Sequence, residues 1–159
     1  MYSYIFRVDA GNIPELGTGH IFRCIEIYKY LLNKGIKKNK ILFICKTLNK
    51  YSSCKDILKK NRVNFISISS RIEDFSLEEL NFLNKIKSNV IIFDRLSEIK
   101  TEFIKKLKIN HKKIIGIDVL KKKYVQIDYF INPLNNRFNG IKKLKNFKNN
   151  ILPSFNIKK

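Results

Sequence analysis

The sequence predicts an α/β protein, a Rossmann-like open, mostly parallel sheet with helices on both faces. Three observations carry this. Short apolar runs recur without polar alternation, as strands buried on both faces require. Amphipathic helical stretches separate them. Several of the runs end in aspartate, at the same relative place in each strand–helix unit. With 159 residues, 44% of them hydrophobic, the chain is long enough to bury a sizeable core as one domain.

The elements follow in order. "YSYIFRV" (residues 2–8) is the first strand, and "DAGNIPELGTG" is the loop after it. From His20, the residues Ile21, Ile25, Tyr28 and Leu32 recur at helical spacing, with Phe22 and Leu31 widening the face. Gly35 ends this helix, because a residue just past a helix often needs the left-handed conformation. "KILFICK" (40–46) is a buried strand, "YSSCKDILKKN" a short helix with serine available as a cap, and "NFISI" (64–68) a third strand. Ser76 and Glu79 have capping-box spacing, and Phe75, Leu80, Leu83 and Ile86 share one face of the helix they start. "NVIIFD" (89–94) is a strand, and "SEIKTEFIKKLKI" a helix from near Ser97. "KKIIGID" (112–118) and "QIDYFINP" (126–133) complete six strands. Residues 1–140 form the domain, and residues 141–159 read as a polar, asparagine-rich tail.

A formal charge of +20 invites a nucleic-acid reading. Lysine, however, occurs in nearly every polar segment and arginine is sparse, which reads as a solvated surface over the whole fold. Nucleic acid is therefore not the expected ligand; an anionic substrate, or weak association with anionic membrane, suits the charge better. No apolar run approaches the roughly 20 residues of a membrane span, and the N-terminus does not read as a secretory signal, so the expected location is the cytoplasm. Cys24, Cys45 and Cys54 have neither disulfide nor zinc spacing; the first two read as small core residues, and none as a nucleophile. His111, among lysines, reads as a surface-loop residue.

In an open α/β sheet, ligands gather outside the carboxyl ends of the strands. Arg7, Asp9, Asp94, Asp118 and Asn132 all fall at or near such ends, as does the glycine loop. Gly17 and Gly19 form a permissive approach to the helix near His20. The N–H groups there can hold phosphate or an oxyanion, although neither the dinucleotide fingerprint nor a P-loop is present. At the positive end of a helix a neutral imidazole is favoured, which suits a general base, and Asp9 is placed to orient its other nitrogen. Packing at the helix start is the competing reading of His20, and the residues alone leave both open.

Arg7, Asp9, Gly17, Gly19, His20 and Arg23 together resemble the N-terminal signature of a bacterial nucleotide-sugar hydrolase family. These are the UDP-2,4-diacetamido-2,4,6-trideoxy-β-L-altropyranose hydrolases of pseudaminic acid biosynthesis, with related polysaccharide-biosynthesis proteins. The signature is an arginine, an aspartate two residues on, then G-x-G-H-x-x-R; the loop here is a little longer than in common members. "NVIIFDRL", "IIGIDVL", "IDYFINP" and "ILPSFNI" resemble later segments more loosely. Two departures stand out: Arg95–Leu96 occupies the place of a His–Tyr pair, and Val119 that of a second acidic residue.

The resemblance implies the N-terminal half of a glycosyltransferase-like GT-B fold, truncated or split from a second domain, with residues 141–159 starting the crossing to it. It implies His20 as the general base that activates water at the anomeric carbon of a UDP-diacetamido-trideoxyhexose, releasing UDP, with Asp9 and Asp94 in supporting catalytic roles. Arg7, Gly17, Thr18, Gly19, Arg23, Asp118 and Asn132 would bind substrate. No metal or cofactor is implied, and the expected partners are the UDP-sugar and a separate C-terminal domain or a second copy. The alternative is a non-catalytic module that binds a nucleotide sugar or a pathway protein, since Leu96 cannot supply a hydroxyl. A lysine-based nucleic-acid or membrane binder is the third reading.

Overall fold

The computed structural model describes residues 1–11, 13, 16–121 and 127–131. Asn132 and the 141–159 tail lie outside the described residues. The strands are β1 (Tyr2–Val8), β2 (Ile41–Lys46), β3 (Phe65–Ile68), β4 (Ser88–Asp94), β5 (Glu98–Ile99), β6 (His111–Ile117), β7 (Leu120–Lys121) and β8 (Tyr129–Ile131). The helices are α1 (Gly19–Asn33), α2 (Ser52–Lys60), α3 (Leu77–Leu83) and α4 (Thr101–Leu107). Six strands form one parallel sheet in the order β3-β2-β1-β4-β6-β8, and β5 pairs with β7 in a separate ribbon. This is the expected Rossmann-like topology, and the order reverses direction between β1 and β4.

Side chains alternate across a strand, so each strand feeds two cores. Tyr4, Phe6 and Val8 of β1 meet Phe43 of β2, Ile92 of β4 and the α1 residues Ile21, Ile25 and Tyr28 on one face. Ile5, Ile44, Ile91 and Phe93 point the other way, toward Leu80 and Leu83 of α3 and Phe103, Ile104 and Leu107 of α4. Helices thus cover both faces, which is why the strands are apolar at nearly every position. All three cysteines are buried and free.

Several local expectations are corrected. Phe22 is exposed rather than part of the α1 core face, because the helix buries its stripe through Ile21, Cys24, Ile25, Tyr28 and Leu31. The helix expected from near Ser97 begins only at Thr101; Glu98 and Ile99 instead pair with Leu120 and Lys121. Ser76 caps α3 by accepting the Glu79 N–H at 3.2 Å, but the Glu79 carboxylate turns into the protein.

His111 is not a surface-loop residue. It opens β6, is 1% exposed, and its Nδ1 lies 2.7 Å from the Ser88 hydroxyl of β4. Burial penalises the charged ring and lowers its pKa from 6.5 to about 4, offset only in part by the Leu83 backbone. The unfolded chain therefore takes up this proton at a higher pH than the folded one, and acid favours unfolding between the two values. The full effect is about 3 kcal/mol at 1.36 kcal/mol per unit of pKa. Urea titrations from pH 7.5 downward should show stability falling below pH 6.5; His111→Gln should flatten the curve between pH 7 and pH 5, about the upper part of that window.

Candidate functional site at the carboxyl edge of the sheet

Strand register sets out the site. Val8 lies level with Asp94, and Asp94 with Ile117, so Asp9, Arg95 and Asp118 each follow one residue beyond on adjacent strands. Alternation then sorts the charges. Asp94 shares the face of Ile92 and points toward α1, whereas Arg7, Lys46 and Arg95 share the opposite face and point toward α3.

On the α1 side, Asp94 is fully buried. Its Oδ1 lies 2.7 Å from His20 Nδ1, and Arg23 donates through Nε to Oδ2 at 2.7 Å and through a second nitrogen to Oδ1. The Cys24 thiol donates to Oδ2 at 3.6 Å; burial and Asp94 hold its pKa well above the usual thiol value, so it stays protonated. His20 and Arg23 reach one carboxylate because they are three residues apart on one helix. A bare ring nitrogen at 2.7 Å from a carboxylate oxygen would set lone pair against lone pair. The Arg23 nitrogen that meets Oδ1 also lies 3.1 Å from Nδ1; the shorter contact to Asp94 suits the neutral tautomer with its proton on Nδ1, which presents Nε2 as the acceptor. Arg23 also approaches Asp118, at 3.5 Å. Asp118 itself takes a left-handed backbone at φ 58°.

On the α3 side, Arg7 and Glu79 are both fully buried. Arg7 donates from Nε to Glu79 at 2.6 Å and from a terminal nitrogen to Asp9 at 2.7 Å. Arg95 donates to both Glu79 oxygens at 2.9 and 2.7 Å, and its guanidinium lies 4.0 Å from the centre of the Phe75 ring. The Phe75 N–H adds a third donor side to Glu79, at 2.6 Å. Asp74 accepts from Lys46 at 2.9 Å and Ser97 at 2.6 Å, with Arg95 at 3.2 Å.

Burial alone would raise the Glu79 pKa, but Arg95 and Arg7 outweigh it and hold the group at about 2. Asp74 is likewise held well below the usual carboxylate range against its burial, chiefly by Arg95, then Ser97 and Lys46. Burial would also drive the proton off Arg7; Asp9 and Glu79 reverse that and raise its pKa.

A cleft of about 110 Å³ opens between the two clusters, lined by Asp9, Leu16, His20, Tyr51, Asp74, Arg95, Leu96 and Ser97. The structure thus brings Asp9, His20, Arg23, Asp94 and Asp118 to one edge. Asp94, not Asp9, partners the His20 ring; Asp9 is held by Arg7 and by the Lys46 N–H at 2.7 Å. Arg7 lies beneath the cleft and positions Asp9. Gly17 is left-handed at φ 51°, and its N–H is taken by the Ile13 carbonyl at 2.9 Å. The donors available to an anion are then those of Thr18, Gly19 and His20 at the start of α1.

Sequence reasoning missed Lys46, Tyr51, Asp74 and Ser97, and it read Glu79 only as a cap. The one signal available was charge inside or directly after an apolar run, at Arg7, Lys46 and Arg95. Among the described residues, no group of three or more His, Cys, Asp or Glu is placed to hold a metal ion.

Fold and site together define a Rossmann-like α/β domain with a histidine–aspartate pair at the topological switch point, where such folds place ligands. Protein-family models give no match to the chain, and curated proteins give none either.

Removing the Glu79 charge leaves Arg7 and Arg95 buried without their shared counter-ion. Glu79→Gln should therefore cost about 3–5 kcal/mol, the usual penalty for breaking a buried pair. Chemical denaturation at neutral pH measures this. The depressed Glu79 pKa gives a second signature: its stabilisation is present above pH 4.5 and lost as pH falls toward about 2. The variant should lack that part of the acid limb.

Proposed function

We propose that the chain is a nucleotide-sugar hydrolase-like domain, in which His20 is the general base. The observation that carries this is the His20–Asp94 pair: Nδ1 is tied to a buried carboxylate while the ring borders the cleft. Nε2 takes a proton from water, the water oxygen bonds to the anomeric carbon, and the bond from that carbon to the UDP oxygen breaks. The sugar carbon inverts and UDP leaves with the electron pair. Asp94 holds the ring tautomer and stabilises the imidazolium that forms, the part an aspartate plays beside any catalytic histidine. The N–H groups at the start of α1 face the diphosphate, and Arg23 fixes Asp94.

Supporting the family reading, five of its signature or site positions (Arg7, Asp9, His20, Arg23 and Asp94) converge on one edge although they lie on three elements and a loop. The reading also takes the chain as the N-terminal half of a GT-B enzyme. A cleft of about 110 Å³ is smaller than the roughly 300 Å³ at the low end of enclosing ligand sites, which suits one wall of a larger site.

A second reading, a binding module without turnover, is favoured by Leu96. It is 53% exposed and lines the cleft where the resembled family carries a tyrosine.

The deciding measurement is UDP release from the UDP-diacetamido-trideoxyhexose, by the chain alone and with a candidate C-terminal domain. His20→Ala should lower the rate about 10²–10⁴-fold, the usual contribution of a general base, and Asp94→Asn should also lower it. An unchanged rate in His20→Ala, or no release in any setting, overturns the hydrolase role; binding without release would put the second reading in its place.

A further inference from the structure

Lysine is spread evenly along the sequence, and the fold undoes that evenness. In a parallel sheet each crossover helix runs back against its strands. The C-terminal ends of all four helices, with the turns after them, therefore collect at the edge where the strands begin. Residues 33–40, 59–64, 84–87 and 105–112 make up most of this edge, and they hold thirteen lysines and arginines with no aspartate or glutamate; Asp128, just before β8, is the carboxylate that joins them there, bonded to the Ile114 N–H. All thirteen are exposed. Glu102 reaches Lys105 and Asp128 reaches Lys108, while Asp9, Asp74, Glu79, Asp94 and Asp118 stand at the opposite edge. Lysines in the last turns of α2 and α4 complement helix carbonyls, but that does not account for those in the turns beyond.

The same edge carries apolar tips. Ile109, within the last of these segments, is 78% exposed, and Met1, just before β1, is 68% exposed. We propose that this edge docks on an anionic phospholipid surface, its lysines against the headgroups and Ile109 and Met1 entering the interface. Lysine near such a surface strengthens binding by roughly fivefold each, and an aliphatic side chain at the boundary adds apolar burial. Nucleic acid fits less well. Twelve of the thirteen cations are lysine, and the large apolar residues exposed here are aliphatic rather than stacking aromatics. Docked this way, the chain turns the His20 cleft toward water. The inference rests on the fold and its surface and is independent of the nucleotide-sugar reading.

The test is co-sedimentation of the full chain with phosphatidylcholine vesicles, with and without phosphatidylglycerol, beside binding to a single-stranded RNA. The expected result is binding to the anionic vesicles only, weakened by salt. Lys37→Glu with Lys38→Glu should weaken it about tenfold or more. Lys50→Glu with Lys100→Glu, the same charge change at the opposite edge, should cost roughly twofold at most. Ile109→Asn should weaken vesicle binding and leave RNA binding unchanged. Circular dichroism checks that each variant is folded. No binding to anionic vesicles, equal loss from the two charge-reversed pairs, or tighter binding to RNA with vesicle binding indifferent to Ile109→Asn would each overturn the proposal.

Discussion

Glu79, fully buried between Arg7 and Arg95, is the constraint on which the site depends. Three ionised groups in a protein interior are costly to desolvate, and their mutual attraction recovers that cost only when hydrogen bonds satisfy them closely. Here both Glu79 oxygens accept from guanidinium groups, and the Phe75 N–H completes the set. The network ties β1, the carboxyl end of β4 and the start of α3 to one point. Arg7, anchored there, holds Asp9 at the cleft; Arg95, anchored there, holds Asp74.

The second organising feature is the two-residue alternation of the strands. It sends neighbouring residues Asp94 and Arg95 to opposite faces, so one strand end serves two clusters of different character. Toward α1 lies a half-open set with a ring nitrogen able to accept a proton. Toward α3 lies a closed ion network that leaves little freedom to its members. The hydrolase reading proposed above needs a cleft between two such walls, because water must there be both positioned and deprotonated.

The sheet is also polarised end to end. Parallel strands place the chemistry-bearing turns at one edge and the helix C-termini with their lysines at the other. Carboxylates concentrate at the first and exposed cations at the second. Among the described residues the exposed charge is thus directional rather than a uniform coating, which matters for any surface the protein approaches.

The sequence by itself determined the fold class, because runs such as "YIFRV" and "NVIIFD" are apolar at nearly every position and only a sheet covered on both faces uses such runs. It also placed Asp9, Asp94, Asp118 and the glycine loop leading to His20 at the carboxyl edge, since strand ends and the loop are readable from local pattern. Pairing was not readable. Asp94 lies 74 positions from His20, and Glu79 lies 72 from Arg7; no local spacing relates either pair. Glu79 looked like a capping residue because of its spacing from Ser76, and His111 like a loop residue because it sits among lysines, yet both are buried by elements distant in sequence. Only the tertiary structure decided these, because a buried charge or ring is defined by what packs against it from elsewhere in the chain.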